Sequence, residues 1–158
     1  MANDSFSQMN RIILLDAAPL GLISNPTVSP NNNACYQWMR AAVAQGAQVL
    51  ISEIADYEVR RELIRASKTA GIASLDALKS VIGYAPVTTP TMLKAAELWA
   101  QARQMGKPTA HSHSLDADVI IAAQAALILA DSYDVVVATS NVAHLSRFVP
   151  AARWQDIT

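Results

Sequence analysis

The sequence predicts an α/β domain with a mostly parallel central sheet and helices layered on both faces, a three-layer α/β/α arrangement. Three observations carry that expectation. The short continuous apolar runs "RIILL", "QVLIS" and "DVVVA" suit strands buried on both faces. The segments between them are amphipathic and carry helix start and stop signals. Of the 158 residues, 52% are apolar and 16% charged, a balance that supports one sizeable core and not a disordered chain.

Taken in order, residues 1–10 ("MANDSFSQMN") are polar and expected to fray, leaving 11–158 as a single domain. Arg11–Leu15 is the first strand, followed by a turn-rich loop over 24–33. Ser29 before Pro30 reads as N-cap and first helical residue of a helix running to about Gly46. Gln48–Ser52 is the second strand. A charged amphipathic helix is expected over 54–70, closed by Gly71, then a short helix over 74–82 and extended chain over 84–88. Thr89 and Pro90 repeat the start signal for a helix ending at Gly106. "KPTAHSHS" reads as loop, 115–130 as helix, Asp134–Ala138 as strand, and "ARWQDIT" as a last edge element.

Composition removes several classes of function. The single cysteine, Cys35, allows neither an internal disulfide nor a cysteine-based zinc site, and its helical context reads as a small buried side chain. A reducing cytoplasm is the expected location: no secretory signal is visible, and the run "VIIAAQAALILA" is too short to span a bilayer. A formal net charge of −1 advertises no global field for nucleic acid or membrane, so a polyanion partner needs a local patch. The scattered glycines form no phosphate-cradling loop, and no Gly-x-Ser-x-Gly elbow is present. Trp38 and Trp99 are expected in the core.

Ligands of open parallel sheets bind beyond the carboxyl ends of the strands, so the residues there matter most. Asp16 follows the first strand; Glu53 and, about one helical turn on, Glu58 follow the second; Thr139, Ser140 and Asn141 follow "DVVVA". Asp116 and Asp118 open the helix leading into that last strand. An oxygen-rich set without cysteine suits a hard cation such as Mg²⁺ or Mn²⁺. Each residue also has a structural reading. Asp116 would cap a helix starting at 117 and Asp118 would answer its dipole. Glu58 would join the helical pairs Asp56–Arg60, Glu58–Arg61 and Glu62–Arg65. Asp16 would stabilise a turn, although "AAPLGLIS" after it offers no charge to pair with.

"LLDAAPLGLISNP", "LISEIADYEVRREL", "LDADVIIAAQA" and "VVVATSNVAHL" together resemble, in order, the four motifs of the PIN-domain family. That is the fold of many metal-dependent ribonucleases, including the toxins of VapBC-type toxin–antitoxin pairs. The resemblance spans about 11–148 and implies a PIN-like fold with Asp16, Glu58 and Asp118 as metal ligands. Asn141 would be the fourth site residue, and Asp116, Thr139, Ser140 and Glu53 outer-shell partners. It implies one or two Mg²⁺ or Mn²⁺ ions that activate water to hydrolyse RNA phosphodiester bonds. Two positions depart from the pattern. Asn141 stands where an Asp is frequent, so the site holds one negative charge fewer, and His144 stands where relatives often carry a further Asp.

Arg60, Arg61, Arg65 and Lys68 lie beside Glu58 and could meet RNA phosphates, the last three at i, i+4 and i+7; a solvated, internally paired face is the competing reading. Apolar faces on "ACYQWMRAAVA" and "TMLKAAELWA" exceed what one sheet needs and point to a homodimer; the resemblance adds an antitoxin protein as a partner. A zinc site from His111, His113 and Asp116 ranks lower because the spacing is off by one and no His follows. A phosphoacceptor receiver domain also ranks lower, lacking adjacent acids and a late Lys. The non-enzymatic alternative is an inactive PIN-fold module that binds RNA or protein.

Overall fold

In a computed structural model the described residues are 11–105 and 112–158, with only the backbone described for 112–114. Strands β1 (Arg11–Leu15), β2 (Gln48–Ser52), β3 (Gly83–Ala85), β4 (Asp134–Ala138) and β5 (Ala151–Ala152) form one sheet in the order β3-β2-β1-β4-β5. Every neighbouring pair is parallel. Between the strands lie α1 (Ala17–Ser24), α2 (Pro30–Ala44), α3 (Glu53–Arg65), α4 (Thr69–Leu78), α5 (Thr89–Gln104), α6 (Ser112–Ala130) and α7 (Val142–Leu145); a 3₁₀ turn (Trp154–Asp156) follows β5.

The alternation of side chains along a strand splits the apolar runs between two cores. Ile12, Leu14, Val135 and Val137 pack with Leu98, Val119 and Ala122 of α5 and α6. Ile13, Leu15, Val49 and Ile51 pack on the other face with Leu20, Cys35, Met39, Leu75 and Leu78. Such two-sided burial needs continuous apolar strands, which is why the three five-residue runs were legible. Ser29 caps α2 through Asn32 N, and Gly46, at φ 98°, takes the left-handed position that stops it.

Local chemistry moves several boundaries. "AAPLGLIS" forms α1, with the Asp16 carboxylate accepting a 2.8 Å bond from Ala17 N as its cap. The helix expected over 54–70 stops at Arg65. Ser67 adopts φ 55°, and the bonds Lys68 N to Leu63 O and Ser67 N to Ile64 O close it as a Schellman motif. Gly71 is therefore no stop signal; it lies within α4, where an added Cβ would meet Leu63 Cδ2 at 2.8 Å. Thr88, not Thr89, caps α5, bonding Thr91 N. Helix α6 starts at Ser112, so Asp116 is an exposed interior residue and does not cap it.

The chain lays down β1, β2 and β3 outward in one direction, then returns to place β4 on the other side of β1. That reversal opens a crevice beyond the carboxyl ends of β1 and β4. No helix among the described residues is long and apolar enough to cross a membrane.

Candidate active site

Asp16 leaves β1 with its backbone N–H bonded to Ala138 O, so the ends of the two central strands are locked together. Its Oδ1 caps α1, and its Oδ2 accepts a 2.7 Å bond from the Thr139 hydroxyl. Thr139 Oγ1 also accepts from Asn141 N at 2.9 Å. The Asn141 amide in turn donates to Asp118 Oδ2 at 3.0 Å. A continuous run of hydrogen bonds thus links the start of α1, the β4 loop and α6. Helix α6 is held in place by burial of Val119 and Ala122 and by Gln124, which accepts from Ser52 Oγ and donates to Ala85 O.

Asp16, Glu58, Asp118, Ser140 and Asn141 line one open cleft of about 310 Å³, with Ala17, Ala18 and Ala117 as small walls. Burial pushes the Asp16 carboxyl above its ordinary value, against the bonds from Thr139 and Ala17. Burial also raises Glu58, reinforced by the charges of Asp16 and Asp118 and opposed by Arg61. Asp118 is pushed up to about 6 by burial and then by Asp16, against the Asn141 bond and the charges of His144 and Arg147. Like charges held together at a cost are what a bound cation relieves. The donors are all oxygen, which fits a hard divalent ion. Among the described residues no three His, Cys, Asp or Glu side chains form a metal-holding cluster as they stand.

Glu53 is not part of this cleft. It accepts from Tyr84 OH and Val87 N, each at 2.8 Å, and the bond from Val87 leads in holding it below the usual carboxylate range. It pins the chain after β3. Asp116 is exposed and does not line the cleft. Thr139 is buried behind Asp16, and Ser140 lies on the cleft wall.

The basic strip does not form as expected. Arg60 grips Asp56 at 2.8 and 3.1 Å and Asp76 at 2.7 Å. Arg65 pairs with Glu62 on the surface, and Lys68 lies beyond the end of α3. Arg61 is the member beside the cleft, stacked on Tyr57 and 4.0 Å from Glu58. All three expected intrahelical pairs are present, yet Glu58 still faces the acids. His111 lies outside the described residues, as does the side chain of His113. Arg147, which the sequence reading passed over, sits three residues after His144 and adds positive charge near Asp118. Trp99 is partly exposed under Arg103 rather than in the core, whereas Trp38 donates to Ile157 O and packs against Trp154.

No protein-family model matches the chain, and no curated protein does. Solved structures do. A chain of VapBC2 from Rickettsia felis, crystallised bound to a DNA fragment from their promoter, is similar with a TM-score of 0.69 at 18% identity. That match covers 90% of this chain and 98% of the other. A chain of VapBC-1 from nontypeable Haemophilus influenzae is similar with a TM-score of 0.60 at 17% identity, covering 92% and 99%. The fold is a VapC-like PIN-domain fold.

Proposed function

We propose that the chain is a Mg²⁺- or Mn²⁺-dependent endoribonuclease, the toxin of a toxin–antitoxin pair. One observation carries the reading: Asp16, Glu58 and Asp118, from three separate segments, line a single cleft at the sheet's reversal point. Asp16 and Asp118 would hold the ion, with Glu58 reached directly or through water. A divalent ion bound there lowers the pKa of attacking water and stabilises charge on the phosphoryl oxygens. Thr139 and Asn141 fix the rotamers of Asp16 and Asp118, so the carboxylates wait in position. Ser140 and the Asn141 amide stand on the wall where a phosphodiester would lie. Arg61 is the cation nearest Glu58 and would meet a flanking phosphate.

The similarity to chains of two VapBC complexes supports an antitoxin partner. A homodimer is part of the same reading. Its support now rests on α5, where Met92, Leu93 and Trp99 are exposed, because α2 spends Cys35 and Met39 on the core. The same reading takes the cytoplasm as the place where the protein works. The test is cleavage of single-stranded RNA in Mg²⁺ or Mn²⁺ by the wild type, Asp16→Asn and Asp118→Asn. Metal-dependent cleavage lost in both variants supports the nuclease. RNA binding that survives both, with no cleavage by any form, favours the inactive module, the reading that the Asn at 141 suggests.

A further inference from the structure

His144 occupies the single turn of α7, and its ring is neither a core group nor a free surface one. Its side chain is 28% exposed, yet Nδ1 is screened from solvent and has no hydrogen-bond partner among the described residues. That nitrogen sits 3.9 Å from Asp118 Oδ2. The separation is too long for a hydrogen bond, which for a charged acceptor is about 2.7–2.9 Å. A relative shift of about 1 Å between ring and carboxylate would close the gap. The same Oδ2 already accepts from the Asn141 amide, while Asp118 Oδ1 has no protein donor among the described residues.

We propose that His144 is a positioning residue: its Nδ1–H is a second donor to Asp118 Oδ2, which leaves Oδ1 to face a divalent cation. The inference rests on the reading of the cleft as a cation site. His144 does not line the cleft, and its Nδ1 approaches the oxygen that the Asn141 amide already holds, so it acts through Asp118 and not as a ligand. Either the neutral Nδ1–H tautomer or the imidazolium supplies the donor. Asn141 and His144 come from one short stretch after β4, so the carboxylate on α6 is aimed by the neighbouring loop. Arg147 braces that stretch, its Nε donating to His144 O at 3.2 Å. Partners of this kind typically change metal affinity by about 10–100-fold when removed.

The test is Mn²⁺ binding to the full chain, followed by the electron paramagnetic resonance signal of the free ion, with thermal melting of the ion-free protein alongside. His144→Phe should weaken binding about 10–100-fold without lowering the melting temperature. His144→Asn, which places an N–H near the position of Nδ1, should restore most of it. Unchanged binding in His144→Phe, or an Asn variant as weak as the Phe one, overturns the proposal. So does a nitrogen coupling on bound Mn²⁺ that vanishes in His144→Phe, since that marks a direct ligand. Asp118→Asn separates the levels: if it loses Mn²⁺ while His144→Phe does not, only the positioning role fails. If Asp118→Asn binds as the wild type does, the cation site itself is wrong and His144 falls with it.

Discussion

Two buried aspartates show how differently this protein treats the same group. Asp56 on α3 is 5% exposed and Asp118 on α6 is 7% exposed. Burial pushes both carboxyls up. Around Asp56, Arg60 at 2.8 Å and Lys79 at 3.2 Å outweigh it and hold the group below its ordinary range. Around Asp118 there is a neutral amide, an imidazole 3.9 Å away, the weaker influence of the Arg147 charge and another carboxylate, and the pKa rises to about 6. A carboxylate that serves the fold has its charge answered within the protein. One left unanswered at such depth is a candidate for charge supplied from outside, which is why the proposed cation site is built on Asp118 and not on Asp56.

The contrast breaks most visibly at the acids themselves. Asp118→Asn and Asp16→Asn should each lower metal-dependent RNA cleavage on the order of 10²-fold or more, measured as initial rates on a single-stranded substrate. Asp56→Ala should do the opposite: the rate per folded molecule stays put while stability falls by about 1–3 kcal/mol in urea melts. Arg60 keeps Asp76 and both cations are partly exposed, so the loss stays below that of a fully buried pair.

Asp118→Asn should also stabilise the ion-free protein at neutral pH by about 1–3 kcal/mol. The sign follows from the shift. A carboxyl whose folded pKa lies above its ordinary 3.8 binds its proton more tightly when folded. Its contribution is therefore present at low pH and is lost as pH rises from 3.8 to about 6. Asp56 runs the other way, its contribution present above 3.8 and lost as pH falls below it. Melting curves across pH 4–7 should show the variant losing less stability on the way up than the wild type. Added Mn²⁺ should raise the wild-type melting temperature and leave Asp118→Asn nearly unmoved. The smallest effect belongs to the end of the helix that carries both Asp56 and Glu58. Ser67→Gly removes a left-handed Ser at φ 55° and should gain about 0.5–1 kcal/mol without touching cleavage.

What could be read from the sequence was what is local or periodic. The strands stood out because a two-sided sheet needs unbroken apolar runs, and the acids stood out because they follow those runs directly. Helix α1 did not, since "AAPLGLIS" holds a Pro and a Gly and its cap is the very Asp that reads as a site residue. The break after Arg65 was hidden because Ser67, not a glycine, takes the left-handed position. The bonds of Glu53 and the Arg60–Asp76 pair were hidden for a different reason. Their partners Tyr84, Val87 and Asp76 lie on other elements, and no spacing rule reports a contact that only packing creates.

The parallel pairing of β1 with β4 has a consequence in time as well as in space. Asp16 and its Thr139 partner are 123 residues apart along the chain. Contacts of such separation form late in folding, because the intervening loop must be closed first. A polypeptide emerging from the ribosome therefore carries one half of the acid cluster long before the other half exists. The acids of the cleft cannot be brought together in a nascent chain that has not yet reached β4.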